Sequence, residues 1–381
     1  MREVAEIIRL HGAAYRAHVG DRVLPSHARV LRDLAACRTA YFGGQLTQCD
    51  HCERQVFRYH SCGNRHCPTC HGPRTERWLE TQRAQLLPCP YYLVTCTLPR
   101  DLRALAFAHQ RVVYGVLMRS AAAALQRLAA DPRFVGARVG CLAVLHTWTR
   151  AMLYHPHVHL LVTAGGLSAD GTQWIAAKNP AFLVPVQALS VIFRAKVCAG
   201  LRRAGLLHQV APSTWTTPWV VHAQPAGRGQ RVLDYLGRYV FRIAIANSRL
   251  EQVTDDEVTF RYQDNRTHET RRVTLPGVEF LQRFLQHVLP RGCAKVRYYG
   301  LWSPAHRADR TRARALLMAL TVIAAPQAAD PPSTSARAEA PRCPHCRLGT
   351  LIVIAVLRPR KDQAPLSPCA IQRRASVEFP R

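Results

Sequence analysis

Acidic residues are scarce. The 381-residue chain carries 24 Asp and Glu against 52 Lys and Arg, a formal net charge of +28 at pH 7. A surface so short of carboxylates attracts polyanions, and nucleic acid is the default partner. A GC-rich coding sequence would exchange Lys for Arg, but it would not remove the acids. Most of the positive charge is arginine, whose planar fork suits phosphate. Long apolar runs are also missing. The longest, Ala315 to Ala325 and Leu348 to Leu357, fall short of the ~20 residues that a membrane helix needs. The N-terminal stretch Met1 to Arg9 lacks the apolar segment of a secretory signal. These absences predict a cytosolic chain with no membrane partner. The 14 cysteines then read as thiols or metal ligands, not disulfides. No Gly-x4-Gly-Lys-Ser/Thr segment occurs, so no P-loop helicase is built in. Internal repeats are absent as well.

What is present begins with Tyr154-His155-Pro156-His157-Val158-His159-Leu160-Leu161-Val162. On a strand, side chains alternate between faces. His157 and His159 then share one face, while Val158, Leu160 and Val162 point into a core. Two imidazoles side by side make half a metal site; satisfied strand histidines are the plainer alternative. The preceding strand, Gly140 to Trp148, ends near His146. A hairpin centred near Arg150 and Ala151 sets His146 opposite His157, within the ~5 Å of cross-strand neighbours. That makes His146 a candidate third ligand. His155 is its rival, with Pro156 interrupting the strand beside it.

The cysteines cluster. Cys49-x2-Cys52 and Cys67-x2-Cys70 are separated by 14 residues, the pattern of one tetrahedral structural zinc site. Cys37, His60, Cys62, His66 and His71 are further candidate ligands in the same stretch, leaving room for a ligand exchange or a second ion. Arg54, Arg58, Arg65 and Arg74 surround the knuckles, as expected of a module lying on phosphates. A further knuckle, Cys343-Pro-His-Cys346, has no second pair near it in the sequence, so it reads as half a ribbon with a distant or decayed partner.

Elsewhere, periodicity predicts helices over 1–36, 75–87, 101–130, 181–206 and 278–288. Strands are predicted at 91–98, 140–148, 219–223 and 295–302, with a hairpin around Asp264-Asn265-Arg266. Tyr298 and Tyr299 in the last strand could stack bases or simply pack. The segment Gly229 to Ala244 is an amphipathic helix at 100° per residue. Val232, Leu236, Val240 and Ile243 form its apolar arc. Tyr235 and Tyr239, one turn apart, lie on the adjoining arc with Arg231, Arg238 and Arg242. Such tyrosines often pack a core or its rim. Framed by guanidinium groups, they are also candidate phenol nucleophiles for a phosphodiester, and the arginines are candidate DNA contacts.

Taken together, Tyr59-His-Ser-Cys-Gly-Asn-Arg-His-Cys67-Pro-x-Cys70, His146-Thr-Trp, His155-Pro-His-Val-His159, Tyr235-Leu-Gly-Arg-Tyr239-x-x-Arg242 and Val296-Arg-Tyr-Tyr-Gly300 resemble the two-tyrosine HUH transposases of the IS91 type. The likeness runs over roughly residues 10 to 310, in the family's order. It implies an α+β fold: an HUH nuclease-type antiparallel sheet flanked by helices, with a small N-terminal zinc-binding domain. The expected division is a helical segment at 1–36, a zinc-binding domain at 37–90, a nuclease domain at 91–312, and a linker and tail at 313–381. The resemblance makes His157, His159 and His146 ligands of a catalytic Mg²⁺ or Mn²⁺. It makes Tyr235 and Tyr239 the nucleophiles, and Cys49, Cys52, Cys67 and Cys70 the structural Zn²⁺ ligands. It implies rolling-circle transposition through a 5′-phosphotyrosine on single-stranded DNA at transposon ends and target, helped by a host helicase, in the bacterial cytoplasm at the nucleoid. Replication initiators and relaxases share that chemistry, and a non-catalytic zinc-ribbon regulator would share the zinc module. Phe241 stands where the resemblance calls for a histidine.

Overall fold

The computed structural model describes residues 3–70, 72–179, 181–228, 231–232, 244–264, 267–324 and 342–361. They fall into two compact units, each assembled from separate stretches of chain.

One unit comprises Pro73–Ala244 and Leu289–Pro326. Its centre is an antiparallel sheet. The strands are β3 (Tyr91–Thr97), β4 (Arg138–Trp148), β5 (Tyr154–Leu167), β7 (Val221–Gly227) and β11 (Val296–Gly300), in the order β11-β4-β5-β3-β7, with short β6 (Trp174–Ala176) paired to β5. The three inner strands, β4, β5 and β3, are mostly buried, as expected when both faces are covered. On one face Val94, Cys96, Ala143, Leu145, Val158, Leu160 and Val162 pack against α4 (Arg103–Ala108), α5 (Gln110–Ala129) and α6 (Val186–Arg203). On the other, Leu142, Val144 and Leu161 pack against α3 (Gly72–Gln85), through Trp78 and Leu79, and α8 (Arg307–Ala324), through Ala313 and Leu317. The alternation expected around His157 therefore holds. The apolar partners of β5 face α5 and α6, and the histidines share the opposite face with Leu161.

The other unit comprises Met1–Gly72, Ile245–Val288 and Gln327–Arg381. It contains α1 (Val4–Val19), α2 (Pro25–Ala35) and α7 (Gly277–Leu285). Its sheet β10-β9-β8 is formed by Thr270–Pro276, Glu257–Gln263 and Leu250–Val253. A second small sheet, β12-β1-β2, is formed by Leu351–Leu357, Gly44–Cys49 and Gln55–Tyr59. Fully buried Phe260 of β9 meets Phe280 of α7 edge to face, with centroids 6.1 Å apart.

Three expectations about chain organisation are corrected. The β9–β10 hairpin forms, but with α7 it belongs to the unit of the N-terminal helices, not to a continuous 91–312 segment. Residues 313–324 are not linker: they complete α8, whose Ala313 and Leu317 are core residues at i and i+4. Nor is the tail only linker and knuckle. Residues 342–361 make a knuckle and then β12, which pairs along the whole of β1, from Gly44↔Leu357 to Cys49↔Leu351. An unbroken Leu-Ile-Val-Ile-Ala-Val-Leu run is strand material, and an edge strand of a three-stranded sheet needs little core of its own.

Candidate active site and cysteine clusters

The β4–β5 pairing sets His146 directly opposite His157 and Val144 opposite His159. All three imidazoles thus lie on one face of the sheet. Each offers a nitrogen within 4.8 Å of the others. Ring centroids are 4.7 Å apart for His146 and His159, 4.9 Å for His157 and His159, and 5.4 Å for His146 and His157.

His155 is outside this cluster, for a structural reason. The strand runs through Pro156 instead of stopping at it. Between the pairs His146↔His157 and Trp148↔Tyr154, β5 carries one extra residue, a bulge at His155-Pro156. A bulge accommodates a residue with no N–H to give, and it re-aims the neighbouring side chain. His155 turns to α4, where Arg103 donates to its Nδ1 at 2.8 Å. Its carbonyl accepts the Nδ1–H of His157 at 2.7 Å.

That last bond fixes a tautomer. A carbonyl only accepts, so His157 Nδ1 holds the proton and Nε2 keeps its lone pair. The same tautomer at His159 has Nδ1 donating to Thr95 Oγ1 of β3 at 2.9 Å. Metal-ligating histidines are commonly oriented in this way by the partner of the other ring nitrogen. Burial pushes the His157 pKa down to about 4 and that of His159 to about 3, so both rings are neutral at pH 7. Among the described residues two cations lie near. Arg103 has just been described, and Lys295 Nζ sits 5.0 Å above the Trp148 ring, which stacks on His146. The donor set is three imidazoles, those of His157 and His159 neutral and oriented by hydrogen bonds, which fits a borderline divalent ion such as Mn²⁺ better than Mg²⁺. A valine at Thr95 keeps the shape of the side chain but removes the hydroxyl that holds His159. Thr95→Val is expected to weaken Mn²⁺ binding about 10- to 100-fold, measured by calorimetric titration.

Tyr235, Arg238, Tyr239 and Arg242 lie outside the described residues. The two residues that open their segment are described. Arg231 is exposed, and Val232 is fully buried in the cluster formed by Leu142, Val144 and Leu161, on the histidine face of the sheet. Tyr298 and Tyr299 are half-buried and pack against the two apolar clusters on either side of β11, so packing accounts for them.

The cysteines are grouped differently from the expected single site. Cys67 and Cys70 come together with Cys37 and Cys62, while Cys49 and Cys52 come together with Cys343 and Cys346. The β1–β2 hairpin is the reason. Cys49 and Cys52 sit at its turn, beside the pair Gln48↔Gln55. Cys62 follows the other end, where Gly44 pairs with Tyr59. Six residues of strand span roughly 17 Å, so one ion cannot gather ligands from both ends. The signal available was the excess of candidates: Cys37 and Cys62 were there to complete the second pair.

In the first group Cys37 and Cys70 sulfurs are 3.5 Å apart, Cys62 and Cys70 3.5 Å, and Cys37 and Cys67 3.7 Å. These distances are far too long for a disulfide. They are near the ~3.8 Å edge of a tetrahedron with 2.3 Å Zn–S bonds. Backbone N–H groups of Cys62 and Asn64 donate to the sulfurs of Cys37 and Cys62. Asn64 is itself held by Asp33 of α2, at 3.0 Å. A cleft of about 560 Å³ lies beside this group, lined by Arg38, Gln45, Arg58, Tyr59, His60 and Ser61. Arg54, Arg58 and Arg65 are exposed. Among the described residues, no helix is long and apolar enough to cross a membrane.

Comparison with known proteins finds two family matches. A transposase zinc-binding domain family matches residues 7–98, and a family described as "Putative transposase" matches residues 140–310. The "Transposase for insertion sequence element IS801" of Pseudomonas savastanoi pv. phaseolicola is 31% identical over 288 residues, which cover 70% of this chain and 68% of that protein. The "Putative transposase y4qJ" of Sinorhizobium fredii is 39% identical over 380 residues, covering 93% of this chain and 95% of that protein. The chain belongs to the IS91 family of transposases. The first cysteine group of the transposase lies wholly within the residues matched by the zinc-binding family, and the three histidines lie within the other match. Cys343 and Cys346 fall outside both. No solved structure matches the chain.

Proposed function

We propose that this transposase cuts and rejoins single-stranded DNA through a tyrosine–DNA covalent link. The observation that carries the reading is the convergence of His146, His157 and His159 on one sheet face, with Val232 buried in the apolar cluster of that same face three residues before Tyr235. His157, His159 and His146 would hold a divalent ion. When bound, such an ion supplies positive charge to the non-bridging oxygens of a phosphodiester and so makes phosphorus more electrophilic.

The remaining chemistry belongs to the chain. Tyr235 or Tyr239 supplies a phenol oxygen, whose proton must leave because the free phenol has a pKa near 10. Arg231, Arg238 and Arg242 favour the phenolate and bind flanking phosphates. The tyrosine oxygen forms a bond to phosphorus as the bond from phosphorus to the 3′ oxygen breaks. That oxygen takes up a proton and leaves as a 3′-hydroxyl, and the 5′ end stays on the protein. The phosphodiester is exchanged, not hydrolysed, so rejoining needs no nucleotide cofactor. A second tyrosine lets one strand transfer follow another, as rolling-circle movement requires. Single-stranded DNA is the substrate because the scissile backbone must enter the site free of its partner strand. Cys37, Cys62, Cys67 and Cys70 hold a structural zinc ion that presents Arg58, Tyr59 and the cleft beside them to the DNA. With no P-loop motif in the sequence, strand opening falls to a host helicase.

The test is a nicking assay. Single-stranded oligonucleotides bearing the element's ends, incubated with the protein and Mn²⁺, should yield a 3′-hydroxyl fragment and a protein–DNA adduct that survives denaturation. DNA binding without any cleavage would leave a zinc-ribbon regulator instead.

A further inference from the structure

We infer that Cys49, Cys52, Cys343 and Cys346 hold a second structural zinc ion, so that the tail completes a ribbon begun by the first hairpin. The inference goes beyond the proposed nuclease chemistry and does not depend on it. Four observations carry it.

The sulfurs are spaced for one ion. Cys49 and Cys346 are 3.7 Å apart, and so are Cys52 and Cys343, again near the ~3.8 Å tetrahedral edge.

The two knuckles have the same backbone design. Glu53 N–H donates to the Cys49 carbonyl at 3.1 Å, and Arg347 N–H to that of Cys343 at 3.0 Å. The residue after each second cysteine, Glu53 or Arg347, is left-handed, at φ 55° and 60°. Neither is glycine, so both turns are held against an intrinsic cost.

The sulfurs also receive backbone N–H groups: His51 and Cys52 donate to Cys49, and Gly349 to Cys346. Such donors stabilise thiolate over thiol.

Lastly, the knuckles are fitted to each other. Asp50 N–H donates to the Thr350 carbonyl and Thr350 N–H to Asp50 Oδ1. A Cβ on Gly349 would come 2.5 Å from Cys49 Sγ, so only glycine allows the approach.

The halves are 291 residues apart, counted from Cys52 to Cys343. The N-terminal ribbon therefore cannot be completed until the tail has been made. A chain cut before residue 342 keeps two thiols of the site and leaves the β1 edge without β12.

Native mass spectrometry of the full chain gives the test, in a His157→Ala/His159→Ala background so that the imidazole cluster binds no zinc. Two zinc ions per chain are expected. Cys343→Ser/Cys346→Ser should hold one, Cys49→Ser/Cys52→Ser one, and the four combined still one, because both pairs serve the same ion. Cys37→Ser/Cys62→Ser should separately remove the other. Cys346→His, which retains a ligand, should restore two. Loss of the second ion should also remove hydrogen-exchange protection from Leu351–Leu357. Should the serine variants fail to fold, Co²⁺ titration of the starting chain must show two equivalents of tetrathiolate absorption. One zinc in the starting chain, two retained in Cys343→Ser/Cys346→Ser, or none left in the combined variant would each overturn the inference.

Discussion

Replacing both Tyr235 and Tyr239 with phenylalanine should abolish the covalent adduct and leave DNA binding within about threefold of the starting protein. Phenylalanine keeps the ring and loses only the oxygen, so packing and the adjacent arginines are undisturbed. Removing a nucleophile outright costs on the order of 10⁴ to 10⁶ in rate in enzymes where it has been isolated. No adduct should therefore appear on the time scale of the assay. The single variants should behave differently from each other and from the double. Each leaves one phenol, so a first cleavage persists in at least one of them while coupled transfer of a second strand fails. Gel analysis of denatured reactions reads both outcomes. An adduct that persists in the double variant would mean another tyrosine acts. Tyr154, three residues from His157, would be the first suspect, but the structure argues against it. Its hydroxyl is committed to that of Tyr114 at 2.6 Å, and burial raises both pKa values well above the usual phenol range. A phenol held in this way resists ionisation and cannot reach substrate without breaking the core.

How much of this was legible depends on how local the signal is. The His-x-His strand was readable because its information is contained in nine residues: alternation alone sends Val158 and Leu160 to one face and His157 and His159 to the other. The register that brings in His146 was readable because a short hairpin allows few alternatives. The bulge at Pro156 was not, since it shows only when two strands are paired and one has a residue to spare. The cysteines make the same point at longer range. Two Cys-x-x-Cys pairs 14 residues apart satisfied a familiar spacing, and spacing says nothing about the hairpin that holds the pairs at opposite ends. Choosing Cys62 over Cys49 requires the β1–β2 register, and finding a partner for Cys343 requires knowing that β12 returns to β1. Discontinuous units hide in the same way. The β9–β10 hairpin is plain in the sequence, but nothing within it says which body it joins.

Alanine at His157 or His159 should lower Mn²⁺ affinity by at least about 100-fold and eliminate cleavage at metal concentrations that saturate the starting protein. Among the described residues three imidazoles come together as candidate ligands, and losing one would leave a bidentate site that water competes for. The structural cost should be of the same order at the two positions. Alanine at His157 removes the ring N–H that the His155 carbonyl accepts, and alanine at His159 removes the ring partner of the Thr95 hydroxyl, so each variant should lose about 1 kcal/mol of stability. Metal binding should also resist acid. A proton competes for a ring nitrogen only near its pKa, and burial lowers those of His157 and His159 to about 4 and about 3. Affinity should accordingly stay nearly flat as pH falls from 7 to about 5, where solvent-exposed imidazoles with a pKa near 6.5 would already have lost most of theirs. Calorimetric titration with Mn²⁺ across that range measures both effects. Unchanged affinity in either alanine variant would detach the histidines from metal binding, and with them the reason for expecting strand cleavage on this face of the sheet.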